Sequence, residues 1–216
     1  MPHEIFIYDA IFVDSFFETG VSAKSIRDEL AKVPENERVL VRINSPGGDV
    51  FEAAAIFTML SQHKGGVDVQ IDGVAASAGS YIAMVGDTVT IADGAMMMIH
   101  NAHTFAFGDS RDMRSAADLL DKVTENIVRA YAAKSDLSEK DVAAAMDDET
   151  WYTAAEAVDA GLADEVLETL SVEDYKIPAV FGYKNLPKPP AKAPQGFRSP
   201  AARAVEIDLT RLALKG

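Results

Sequence analysis

A serine set among small residues, Gly73-Val-Ala-Ala-Ser-Ala-Gly-Ser80, is the first place where this chain could do chemistry. Small neighbours let another backbone approach the Ser77 hydroxyl, and a helix starting just after it would favour developing negative charge. The same run also reads as tight packing of a helix start against a sheet. A serine nucleophile needs a base, and the chain has four histidines. His3 is near the terminus and His63 sits beside Lys64 at an expected helix end, so both read as solvated. His100 closes the run Ala95-Met-Met-Met-Ile-His100, where a strand would hold an imidazole rigidly towards a site. His103 follows in a loop or the next strand, and either histidine also reads as an ordinary satisfied one. A second glycine signal, Ser45-Pro46-Gly47-Gly48, either presents bare N–H groups as oxyanion donors or is a plain turn.

The elements that must position these residues follow from periodicity. Glu4 to Val13 reads as one or two strands, Val21 to Val33 as a helix closed by Pro34, and Val39 to Ile43 as a strand entering the Pro-Gly-Gly turn. Phe51 to Gln62 is an apolar helix and Val67 to Asp72 the next strand. Gly73 to Gly79 reads as a small-residue turn before an apolar segment, Ser80 to Val85. Thr88 to Ile91 and Ala95 to His100 are further strands. The alternation implies an α/β fold with a largely parallel sheet. From Ser110 to Lys134 the pattern becomes one long helix, with Met113, Ala117, Leu120, Val123, Ile127 and Tyr131 in a stripe too long for one domain to bury. Ser138 with Asp141, and Thr153 with Glu156, look like helix-capping pairs, and Gly161 suits a helix end. Ala163 to Leu167 reads as a last strand.

Composition narrows the function. The 216 residues are 48% hydrophobic and 25% charged, ordinary for a globular protein, and none is Cys. That excludes a thiol nucleophile, thiolate metal sites and a disulfide framework, and it suits a reducing compartment. No apolar run approaches the ~20 residues that span a bilayer. Met1-Pro2-His3-Glu4 lacks the basic start of a secretory signal, so the expected location is cytoplasmic. The net charge of −14 is uneven: residues 175–216 hold eight Lys or Arg and two acids, net +6, whereas residues 1–174 hold 12 and 32, net −20. Such an acidic body argues against nucleic acid as a partner. Six of the nine prolines fall between Pro178 and Pro200, so the expected division is a folded 1–174 and a basic, linker-like 175–216 with a short helix over Val205 to Leu214.

Four blocks taken in order, Ile43-Asn-Ser-Pro-Gly-Gly48, Ala75-Ala-Ser-Ala-Gly79, Met98-Ile-His100 and Ala154-Ala-Glu-Ala157 with Gly161-Leu162, resemble the Clp protease proteolytic subunit family over about residues 5–168. The resemblance implies a ClpP/crotonase-like α/β fold of repeated strand–helix units with a protruding handle helix, here Ser110 to Lys134. It implies a serine endopeptidase with Ser77 as nucleophile, His100 as general base, and the Gly48 and Ala78 N–H groups as oxyanion hole. Gly47 and Gly48 would adjoin the strand that receives a peptide by strand addition. It implies no cofactor or metal, a peptide or protein substrate, and heptameric rings stacked in pairs. The Glu149-Thr-Trp-Tyr-Thr153 segment is similar to the phage and prophage branch, which points to head maturation.

The chain departs from that family in three places. An ungapped count from Thr153 puts the triad acid on Glu149, where the family has aspartate, with Asp148 as the alternative. The segment before the first expected strand, where the family has its axial pore loops, is nearly missing, which bears on docking of a Clp ATPase. The basic tail is outside the family pattern and is expected to lie on the acidic body without a part in catalysis. Two other readings compete: a non-catalytic ring-forming assembly protein, and a crotonase-like acyl-CoA enzyme using oxyanion donors without a Ser–His pair. A Ser–Lys peptidase finds no lysine between Ser77 and His100.

Overall fold

The computed structural model describes residues 2–12, 20–167 and 179–187. Seven strands form one sheet. In it β1 (His3–Ile7), β2 (Val39–Ser45), β3 (Val67–Ala76), β4 (Thr88–Ala92) and β7 (Glu165–Leu167) lie in the order β1-β2-β3-β4-β7, all parallel. Helices α1 (Ala23–Leu30), α2 (Val50–Ser61) and α3 (Ala78–Ala83) alternate with these strands. This is the α/β architecture that the sequence implies, because parallel neighbours need helical crossovers that cover the sheet. The strand residues facing the core, Val41, Ile43, Val69, Ile71, Val89 and Ile91, are all but inaccessible.

The site depends on a fork in β3. Its first half, Asp68–Ile71, pairs with β4, while Val74–Ala76 leaves that edge and pairs with β5 (Met96–Ile99). Residues 73–76 are therefore strand and not the expected turn. Small side chains there let β2 and β5 close in on both edges, with Ser45 opposite Ala75 and Met97 opposite Ala75. A Cβ on Gly73 would come within 2.6 Å of Asn44 Oδ1, the atom that accepts the Val74 N–H at 3.2 Å. A seventh strand that the periodicity did not reveal, β6 (Thr150–Thr153), runs antiparallel to β5.

The long helix α4 runs over Ser110–Lys134, the range expected. Only its last third is buried, through Ile127, Val128 and Tyr131, while Met113 and Leu119 are exposed. Helices α5 (Glu139–Asp147) and α6 (Ala154–Asp159) follow, begun by the Ser138 and Thr153 caps. Residues 179–186 pack on the compact unit that runs to Leu186. The expected helix over Val205 to Leu214 lies outside the described residues. No described helix is long and apolar enough to cross a membrane.

Candidate active site

Ser77 stands at the sharp junction of β3 and α3, with φ 53° and ψ −119°. A non-glycine residue at positive φ carries backbone strain, which the surroundings must hold. They do so with three hydrogen bonds: Ser77 N–H donates to Met98 O at 2.9 Å, and Ser77 O accepts from Tyr81 N–H at 3.0 Å and Ser80 Oγ at 2.8 Å. The strained turn thrusts Ser77 Oγ out towards the end of β5. There His100 Nε2 lies 2.8 Å away.

Three effects fix the state of that imidazole. Burial pushes its pKa down, the cationic neighbours His103 (ring centroid at 5.0 Å) and Lys184 push it further, and the Glu149 charge opposes them, leaving it at about 4. A neutral His100 that accepts from the serine hydroxyl must carry its proton on Nδ1.

The Pro-Gly-Gly turn comes up against the serine from β2. Gly47 has φ 95°, and a Cβ there would come within 2.6 Å of Ala76 O and 2.8 Å of Ser77 Cβ. Only glycine permits so close an approach at that φ. Its neighbour Gly48, at φ 147°, bridges Ile11, with Ile11 N–H donating to Gly47 O and Asp49 N–H to Ile11 O. Among the described residues neither the Gly48 nor the Ala78 N–H donates to a protein acceptor. A cavity of about 190 Å³ opens here, with Gly48, Ser77, Ala78 and His100 in its wall beside Tyr81, Leu120 and Val123. The five expected residues Gly47, Gly48, Ser77, Ala78 and His100 thus come together.

The acidic residues separate cleanly. Asp147 is exposed and accepts from Asn101 Nδ2 at 2.6 Å; Asp148 is exposed and caps α5. Glu149 is buried, at φ 50° in the turn before β6. Burial raises its pKa, but the Asn185 and Lys184 backbone N–H groups, the Trp151 indole and the His100 charge together bring it below the ordinary carboxyl value. Among the described residues no hydrogen bond joins Glu149 to His100. Its carboxylate is held instead by a segment that sequence reasoning assigned to an uninvolved tail: Asn185 N–H donates to Oε1 at 2.6 Å and Lys184 N–H to Oε2 at 2.9 Å. From the same segment Tyr183 sets its ring edge-on to His100, centroids 5.3 Å apart, and donates its hydroxyl to Pro46 O. A lone tyrosine in a proline-rich stretch has no periodic signal that could have revealed it.

Behind the nucleophile, Ser80 Oγ also meets Met98 O at 2.6 Å and Tyr131 Oη at 2.8 Å. Tyr131 was expected as part of the handle stripe; its ring is buried in the core, which raises its pKa. Among the described residues no group of three or more His, Cys, Asp or Glu side chains is arranged to hold a metal ion.

The Clp protease family model matches residues 5–170. The chain belongs to the Clp protease family. It is 30% identical over 131 residues to ATP-dependent Clp protease proteolytic subunit 3 of Streptomyces coelicolor, covering 60% of each chain. To proteolytic subunit 1 of Protochlamydia amoebophila it is 26% identical over 175 residues, covering 78% of this chain and 85% of the relative. The Deinococcus radiodurans proteolytic subunit is 28% identical over 137 residues, 62% of this chain and 67% of the relative. This family membership fits the parallel sheet, the strained Ser77 turn and the projecting α4.

Proposed function

We propose that the protein is a serine endopeptidase of the Clp proteolytic-subunit type, acting through Ser77, His100 and Glu149. The observation that carries this reading is the 2.8 Å contact between His100 Nε2 and Ser77 Oγ on the wall of a cavity. A peptide strand adding beside Gly47 and Gly48 would bring its scissile carbonyl over Ser77. His100 takes the hydroxyl proton as Oγ bonds to the carbonyl carbon, and the oxyanion falls to the Gly48 and Ala78 N–H groups. The imidazolium then returns the proton to the leaving amine. Water, deprotonated by His100, releases the acyl group and restores Ser77. Glu149, whose depressed pKa keeps it ionised, stabilises the transient positive charge.

The apolar part of the cavity, formed by Tyr81, Leu120 and Val123, favours substrates with an apolar residue before the cut bond. Rings built through α4 would enclose that chamber. The relatives are named as ATP-dependent, so a Clp-type ATPase is the partner that would deliver folded proteins, while short peptides need none. Phage head maturation is the narrower form of this reading. Against an acyl-CoA enzyme stands the Ser–His contact, which oxyanion chemistry alone does not need.

A fluorophosphonate probe followed by mapping of the modified peptide tests the assignment. The label is expected on Ser77, and Ser77→Ala is expected to lose both label and peptide hydrolysis while still assembling. Label on Ser80 would refute the assignment of Ser77, and no label on the intact protein would leave the non-catalytic ring protein as the better account.

A further inference from the structure

Glu149 stands where the resemblance has aspartate, and its extra methylene adds a rotatable bond that must be frozen before the carboxylate can serve His100. The turn alone does not freeze it. Of the groups that do, two are backbone amides from residues more than thirty positions away in sequence. They take one oxygen each, so the carboxylate is forked and its plane fixed. Oε2 accepts only the Lys184 N–H among the described donors, which leaves lone-pair capacity on the carboxylate for an imidazole proton. The Asn185 side chain ties the same segment to the turn itself, Nδ2 donating to Asp148 O at 2.6 Å.

The other arm of the segment reaches the base. Tyr183 stands edge-on to His100 and packs with Trp151, Val74, Ala76 and Met98 in a small cluster behind the imidazole. Its hydroxyl bond to Pro46 O joins that cluster to the turn carrying Gly47 and Gly48. Tyr183 does not line the cavity beside Ser77, so it backs the histidine without blocking substrate. One five-residue stretch therefore touches the base, the acid and the oxyanion turn.

We propose that residues 181–185 are a built-in clamp: Tyr183 is a positioning residue for His100, and the Lys184 and Asn185 backbone amides position the Glu149 carboxylate. The inference rests on the serine peptidase reading for its effect on rate, and on geometry alone for its effect on His100. The charged and titratable groups facing His100 are His103 from the loop after β5, Glu149 from the turn before β6, and Lys184 and Tyr183 from the clamp.

The test uses the full-length protein. Asn185→Pro removes the amide that Glu149 Oε1 accepts, and Asn185→Ala keeps it while losing the Asp148 tie. Asn185→Pro is expected to lower kcat about 10- to 100-fold with KM within about two-fold, and Asn185→Ala by much less, well short of the ~10⁴-fold lost when a triad acid itself is neutralised, because Glu149 stays in place. Combined with Glu149→Ala, Asn185→Pro should add little, because both act through one carboxylate. Tyr183→Ala should expose the imidazole, and Tyr183→Phe should recover most of the lost rate. The second readout needs no activity: NMR of protein carrying [13Cε1]-histidine should show the His100 titration rise in Tyr183→Ala from about 4 towards the ordinary 6.5. A fully additive loss for Asn185→Pro with Glu149→Ala, or an unmoved His100 titration in Tyr183→Ala, overturns the clamp. Failure of the intact protein to take the fluorophosphonate label would defeat the peptidase reading instead, and the His100 titration would still decide the clamp.

Discussion

Because desolvation outweighs every charge near His100, its imidazole stays neutral down to about pH 4, and the group that must accept the serine proton is in its working form throughout the neutral range. Two consequences follow with definite signs. The acid limb of kcat/KM for a short peptide is expected near pH 4 and not near 6.5, since that limb reports the base in the free enzyme. Stability moves the same way. Between pH 6.5 and about 4 the unfolded chain holds a proton on this histidine that the native state lacks, so stability falls as pH drops through that window. Glu149 adds to the trend at lower pH, because its folded pKa is depressed and its contribution disappears as the carboxylate is protonated. Urea unfolding midpoints at pH 7, 6 and 5 check this. His100→Asn should flatten the slope between pH 6.5 and 5, and an unchanged slope would show that His100 is not the group responsible.

Among elements, the joint between α3, β5 and α4 decides whether the strained serine turn holds. Ser80 has one proton to give, and with that proton on the carbonyl of Met98 or Ser77 the buried Tyr131 hydroxyl is the donor in their shared bond. Removing either partner is not equivalent. Tyr131→Phe leaves Ser80 still donating and should cost about 0.5–1.5 kcal/mol, the net worth of one bond. Ser80→Ala strands the Tyr131 hydroxyl, whose remaining partner is Ser77 O at 3.5 Å, and should cost about 1–3 kcal/mol. Denaturant titration of both variants tests the order; a larger loss for Tyr131→Phe would mean that the buried hydroxyl finds another acceptor. The same joint shows what the sequence discloses about elements. The alternating strands and helices, the full span of α4 and the Ser138 and Thr153 caps were legible because each is written in local periodicity or a three-residue spacing. Small residues and a strand-end histidine marked Ser77, His100 and the Gly47-Gly48 turn as candidates, and the family resemblance chose that reading over plain packing, an ordinary histidine and a simple turn. The β3 fork was not legible, since Gly73 signals a turn unless two edges are known to compete for that strand. Three half-buried residues and an exposed one gave β6 too short a pattern to detect. The clamp was hidden most deeply, because Tyr183 meets Pro46 across 137 positions of chain.

At the scale of the whole molecule, four of the nine large apolar side chains exposed among the described residues lie close together in sequence. Phe105 and Phe107 are essentially fully exposed, and Met113 and Leu119 follow within fifteen residues, all on the projecting start of α4 and the loop before it. A run of four large apolar side chains in water marks a contact surface, whereas single ones would need no explanation. A second copy of the chain is the partner that the family implies, and closed symmetry would turn that contact into rings. The electrostatics oppose assembly, since residues 1–174 carry a net charge of −20 and like-charged bodies repel. Salt should therefore strengthen the assembly: screening shrinks from about 10 Å at 0.1 M to about 3 Å at 1 M, while the apolar contact is left intact. Light scattering at micromolar concentration is expected to give a particle many times the 23.2 kDa of one chain, and a larger assembled fraction at 0.5 M than at 0.05 M salt. The variant Phe105→Ser/Phe107→Ser/Met113→Glu touches none of the residues that wall the cavity, so it should shift the protein to smaller species without altering the Ser77–His100 contact. Assembly that weakens with salt would mean that unlike charges hold the copies together, and a monomer at every salt concentration would mean that this apolar face serves a different partner.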